Sequence, residues 1–120
     1  MGTLQNSVQL IGRPGMDPEV KNINNMNKKV AKFSLATNNS YYNDKNELVK
    51  DTSWHNIVAW GKIAERVEKV VKKGKMIALE GRIQTRSWED KGVKKYMTEI
   101  VMNDFLLIER TNDEEHTSTK

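Results

Sequence analysis

A chain of 120 residues with no cysteine is long enough to bury a core of its own, and it excludes disulfide scaffolds, thiolate metal sites and thiol catalysis. No stretch approaches the ~20 apolar residues of a membrane helix, and residues 1–5 offer neither a basic start nor an apolar run, so a cytoplasmic protein with no membrane partner is expected. The net charge is +4; without Asp113, Glu114, Glu115 and Lys120 the remainder holds 19 basic and 13 acidic residues, a net +6, which suits a polyanionic partner as well as plain solubility.

In chain order, residues 6–12 (NSVQLIG) alternate enough to predict a first strand, which Arg13-Pro14-Gly15-Met16-Asp17-Pro18 breaks. Residues 20–27 are asparagine-rich and read as irregular. Residues 29–37 (KVAKFSLAT) place Ala31, Phe33, Leu35 and Thr37 on one face and Val30, Lys32, Ser34 and Ala36 on the other, a second strand. Residues 38–50 (NNSYYNDKNELVK) set two tyrosines among asparagines and charges and read as a long hairpin loop. Tyr41 and Tyr42 either fold back onto the barrel with wet hydroxyls or stack on a ligand.

The stretch 51–62 (DTSWHNIVAWGK) predicts a third strand, with Trp54, Asn56, Val58 and Trp60 in phase and His55, Ile57 and Ala59 in the opposite phase. Ile57 and Ala59 suit a core, which turns the tryptophans outward, roughly 20 Å apart. Residues 62–73 (KIAERVEKVVKK) put Ile63, Ala64, Val67, Val70 and Val71 at helical spacing, with Gly74 as the stop. Lys62, Lys72 and Lys73 at its ends are either part of a solvated face or within reach of a phosphate.

Residues 75–88 form a long strand with Ile77, Leu79, Gly81 and Ile83 on one side and Glu80, Arg82, Gln84, Arg86 and Trp88 on the other. Residues 89–92 (EDKG) turn, residues 93–102 return, and residues 104–109 add Phe105, Leu106, Leu107 and Ile108 as a closing strand or extension. The pattern predicts an all-β chain with one helix: a five-stranded Greek-key barrel of the OB type with the helix between strands 3 and 4. An α+β sandwich also accommodates it. The domain spans residues 1–110, and residues 111–120 form a short, disordered polar tail.

Three tryptophans on polar strand faces, two loop tyrosines and interleaved lysines and arginines make the constellation suited to single-stranded nucleic acid. Unpaired bases stack on indole without base choice, and cations release phosphate counterions. Each indole taken alone is as well explained by a core. His55, opposite the tryptophans, reads as a hydrogen-bonded core or interface residue, and with His116 alone beside it no metal triad is expected. The carboxylates show no catalytic pairing and the glycines no phosphate-cradling motif, so neither an enzyme nor a cofactor is expected.

The segments Leu10-Ile11-Gly12, Asp17-Pro18-Glu19-Val20, Ser34-Leu35-Ala36-Thr37, Trp54-His55-Asn56-Ile57-Val58, Gly61-Lys62-Ile63-Ala64-Glu65, Leu79-Glu80-Gly81 and Thr85-Arg86-Ser87-Trp88 resemble the bacterial single-stranded DNA-binding protein (SSB) family. The resemblance implies stacking by Trp54, Trp60, Trp88 and Tyr41, phosphate contacts from Lys21, Lys62, Lys72, Lys73 and Arg86, a subunit contact at His55, and a homotetramer wrapped by DNA during replication, recombination and repair. A dimeric primosomal or recombination accessory of the same fold is the competing expectation. Asn56 stands where some relatives carry a basic residue, and the acidic Asp113-Glu114-Glu115 lacks the apolar end through which cellular members recruit partners, so recruitment by that route is not expected.

Overall fold

Two long strands with apolar alternation need a closed surface to cover both their inner faces, and the chain supplies it by folding back on itself. The computed structural model describes residues 4–23 and 28–108; the tail expected at 111–120, with His116, lies outside the described residues. In order the elements are β1 (Val8–Pro14), β2 (Glu19–Ile23), β3 (Lys28–Tyr42), β4 (Leu48–Trp60), α1 (Gly61–Val70), β5 (Ile77–Asp90) and β6 (Val93–Leu107). The sheet runs β1-β5-β6-β4-β3-β2, and β1 also pairs with β3, closing five strands into a barrel that leaves β2 on the outer flank of β3. The helix falls between the third and fourth barrel strands, as the OB-type pattern requires.

Closure depends on a close backbone approach. At Gly12, where β1 leaves Ile77 of β5 and meets β3 at Arg13↔Ala36, an added Cβ would stand 2.1 Å from the Ala36 carbonyl oxygen, so only glycine fits. Inside, Phe33, Leu35, Ile57, Ala59, Ile77, Leu79, Ile100, Met102 and Phe105 pack with Ala64, Val67 and Val71 into the main core.

Several local features depart from the sequence reading. β1 runs on through Arg13 and Pro14, expected to break it, because they pair with Ala36 and Leu35 of β3. Of residues 20–27, expected to be irregular, 20–23 belong to β2, which bonds to the edge of β3 at Glu19↔Lys32 through Ile23↔Lys28, and 24–27 lie outside the described residues. The tyrosines lie on strand, not loop: β3 and β4 stay in register out to Tyr42↔Leu48, leaving only residues 43–47 as the connection. There Asn43 Oδ1 accepts from the backbone N–H of Lys45 and of Glu47, both at 2.9 Å, and Asn46 takes a positive φ of 61°. Polar residues hold such a ribbon by ladder bonds, with no apolar face to announce it.

The helix ends at Val70, three residues short of its expected end at Lys73. Val71 caps the helix with an extended backbone while its N–H still donates to the Val67 carbonyl, and its side chain stays fully buried in the core beside Val67. Finally, β6 is one continuous strand carrying a bulge: Glu80 faces Asp104 but Gly81 faces Met102, leaving Asn103 unmatched. The extra residue switches the phase, so Ile100 and Met102 point inward on one side of it and Phe105 on the other.

Candidate nucleic-acid interface

The outer face of β3 and β4 is built from cross-strand pairs: Ala36↔Trp54, Ser34↔Asn56, Lys32↔Val58 and Val30↔Trp60. Trp54 is 62% exposed and Trp60 45%, while Ile57 and Ala59, in the opposite phase, are buried in the core. Outward placement of the two indoles is therefore what the structure has. Between them the face is not open throughout, because Val58 is buried with Val30 and Val101 in a small second cluster. The Trp54 ring is seated on the β1–β2 connection: a Cβ built on Gly15 would stand 2.5 Å from its Cζ3 atom. Glycine there lets the indole lie against the main chain.

The β5–β6 ribbon, continuing past the barrel to a tight turn at Lys91 and Gly92 (φ 54° and 80°), carries Trp88 at 41% exposure. On the face of Trp88 lie Gln84 and Arg86 from β5 and Lys95, Met97 and Glu99 from β6. Arg86 is not a free cation. Its Nε and Nη2 donate to Glu99 Oε1 and Oε2 at 2.9 and 3.4 Å, and its guanidinium stands 5.5 Å from the centre of the Trp88 ring. Glu99 is only 5% exposed, and a carboxylate at that depth needs such a partner. Sequence reading passed over Glu99 as one scattered carboxylate; nothing in β6 alone marks it, because its partner is thirteen residues away on the other strand.

A cleft of about 200 Å³ lies between the β3–β4 face and the β5–β6 ribbon, lined by Met16, Glu19, Lys32, Phe33, Ser34, Asn56 and Ile57 on one side and Arg86, Met97 and Glu99 on the other, with Trp54 and Trp88 outside its lining. Asn56 is two positions from Trp54, and Arg86 two from Trp88, each on the face of its tryptophan.

The other sequence-singled residues are distributed around this region. Lys21 is exposed on β2 opposite Val30, and Lys62 is exposed in the first turn of α1. Lys72 and Lys73 are exposed in the turn after the helix, which is fixed to the β1–β2 connection by Lys73 N–H to Asp17 Oδ1, Gly74 N–H to the Pro14 carbonyl, and Arg13 Nη1 to the Gly74 carbonyl. Among the described residues no ion pair involves Lys21, Lys62, Lys72 or Lys73. Tyr41 and Tyr42 are 54% and 68% exposed on the β3–β4 ribbon; the unbroken register puts Tyr42 in the phase of Trp54 and Tyr41 in that of His55. His55 is half-buried, its Nε2 2.9 Å from Thr37 Oγ1. Tyr96, exposed on the far side of the β5–β6 ribbon from Trp88, adds an aromatic that sequence reading left among the strand residues.

Among the described residues no group of three or more His, Cys, Asp or Glu is arranged to hold a metal ion, and no helix is long and apolar enough to cross a membrane.

Comparison with known proteins adds a lineage to this geometry. The chain is 44% identical over 105 residues to single-stranded DNA-binding protein 1 of Chlorobaculum tepidum, an alignment covering 86% of this chain and 64% of that protein's length. Among solved structures it superposes on the Plasmodium falciparum SSB in its complex with ssDNA with a TM-score of 0.78 and 37% identity, covering 92% of this chain and 98% of that one. A deletion mutant of the single-stranded DNA binding protein from Thermus aquaticus superposes with a TM-score of 0.77 over 87% of this chain and 50% of that one; at 24% identity it supports the fold alone. The model of the single-strand binding protein family matches residues 5–108, and the chain belongs to that family.

Proposed function

We propose that this chain binds single-stranded DNA with little sequence preference, coating it during replication, recombination and repair in the cytoplasm. The observation that carries the reading is the cleft between two surfaces that each expose a tryptophan, Trp54 on the sheet and Trp88 on the ribbon. Exposed indoles offer stacking platforms, typically stabilising each stacked base by ~1–3 kcal/mol whatever its identity. Trp60 extends the set, Tyr41 offers a further exposed aromatic on the opposite face of the β3–β4 ribbon, and Lys21, Lys62, Lys72 and Lys73, free of ion pairs among the described residues, are the phosphate contacts. Paired bases hide the π-faces that such platforms need, so binding selects the unpaired state and melts hairpins by mass action. No nucleotide or metal enters this scheme.

The same reading includes a homotetramer with His55 at a subunit contact. Its support is the half-buried histidine and a separate open, largely apolar hollow of about 530 Å³ beside the exposed Ile11 and Leu106. Sedimentation equilibrium tests it: a mass of four chains is expected, and a monomer at micromolar concentration contradicts it.

Equilibrium binding to one oligonucleotide, offered single-stranded and then as its duplex, tests the function. The single strand is expected to bind far more tightly at every salt concentration; equal affinity for the duplex contradicts the reading.

A further inference from the structure

The Arg86–Glu99 pair has features that a phosphate contact does not need. The carboxylate is buried, both of its oxygens meet the guanidinium, and the Met97 sulfur stands 3.4 Å from Arg86 Nη2, so the arginine head is held by three contacts from two side chains. Fixed in this way, the guanidinium carbon Cζ stands over the Trp88 ring, 5.5 Å from its centre. A ribbon on which every β5 residue from Arg82 to Asp90 is exposed otherwise has little to orient a large aromatic side chain.

We propose that Glu99 is a positioning residue which, by clamping Arg86, fixes Trp88 with one ring face against the guanidinium and the other open to a base, so that Arg86 serves as a stacking support and not as a phosphate contact. The inference rests on the single-stranded DNA reading for the base, but the clamp itself is a property of the free protein. A carboxylate that neutralises the guanidinium removes it from the group of charges that release counterions on binding, while the planar fork suits it to lie on an aromatic ring.

The test uses a full-length variant in which Trp54→Phe and Trp60→Phe leave Trp88 as the one tryptophan, the chain having three. In the free protein, Glu99→Gln and Arg86→Gln are each expected to raise acrylamide quenching of Trp88 and to enlarge the fast phase of its anisotropy decay. An unchanged Trp88 in both variants overturns the clamp. Because Glu99→Gln alters a buried group and Arg86→Gln leaves that carboxylate without its partner, circular dichroism accompanies both, and the double variant Glu99→Gln/Arg86→Gln, which removes both charges together, gives the same readouts should either single variant not fold.

With oligothymidine and the natural tryptophans, the slope of log affinity against log salt is expected to be the same in Arg86→Gln as in the unsubstituted protein. A slope shallower by about 0.7 per bound subunit, the share of one phosphate contact on a single strand, overturns the proposal. Failure of the unsubstituted protein to bind oligothymidine would instead remove the DNA reading, and the acrylamide and anisotropy arms would still decide the clamp.

Discussion

Gly15 and Trp54 are in such close contact that a single methyl group on the glycine would stand 2.5 Å from Cζ3 and 2.9 Å from Cη2 of the indole. The ring therefore has one side against the main chain of the β1–β2 connection and is still 62% exposed. That connection and the end of β1 are in turn held to the turn after α1 through Asp17 and Pro14, which fixes the backbone behind the ring.

Gly15→Ala is expected to displace the Trp54 ring, because the obstructing atoms belong to the far end of a side chain that can move. Stability should change by less than about 1 kcal/mol, as for surface changes that do not touch the core. Affinity for single-stranded DNA should fall, with a shifted tryptophan emission in the free protein. Urea unfolding together with DNA titration checks both halves.

Gly81→Ala should behave in the opposite way. Its Cβ would stand 2.2 Å from the Val101 carbonyl oxygen, beside the Asn103 bulge, and a ladder cannot swing aside as an indole can. A loss of about 1–3 kcal/mol in unfolding free energy is expected, measurable by urea denaturation, with DNA affinity per folded molecule little changed.

Trp54→Ala and Trp88→Ala should each weaken binding by about 1–3 kcal/mol with the fold retained, since both rings are largely outside the core. Trp60→Ala should add a stability cost, because Trp60 is the cross-strand neighbour of buried Val30. Thermal melts beside binding isotherms separate the two effects.

Asp104 supplies a pH test. Arg66 Nη1 donates to its Oδ1 at 2.9 Å and the Phe105 N–H donates to the same atom at 2.8 Å; these hold the carboxyl below the usual carboxylate range, the arginine bond being the larger cause. A group with a depressed folded-state value stabilises above its unfolded value and loses that contribution as pH falls through the folded one. The difference in urea midpoint between the natural chain and Asp104→Asn should therefore be largest near neutrality and shrink as pH falls below the ordinary carboxylate value of about 4. Both side chains are about half exposed, so added salt should shrink it.

Much of this was legible in the residues because packing imposed a period on them. The in-phase Ala31, Phe33 and Leu35, the opposed phases of Trp54 and Ile57, and the helical spacing of Ala64 and Val67 all follow from the face that each element turns to the main core. What escaped reading has no such face. β2 is held by bonds to the edge of β3, the Tyr41–Tyr42 ribbon by its ladder, and the Asn103 bulge shows only when both strands are laid side by side. The helix stops at Val70, where Val71 turns extended, although the apolar spacing itself carries on through Val71. Within the site, the tryptophans were visible one strand at a time, whereas the Glu99–Arg86–Trp88 arrangement spans two strands.

Titration of the protein's intrinsic tryptophan fluorescence with oligothymidine bears most directly on whether the outward indoles are base platforms. Deep, saturable quenching at low salt is expected, with the midpoint moving to higher oligonucleotide concentration as salt is added. Emission that stays constant through the titration, at a salt concentration where Trp54, Trp60 and Trp88 remain exposed in the free fold, would contradict it.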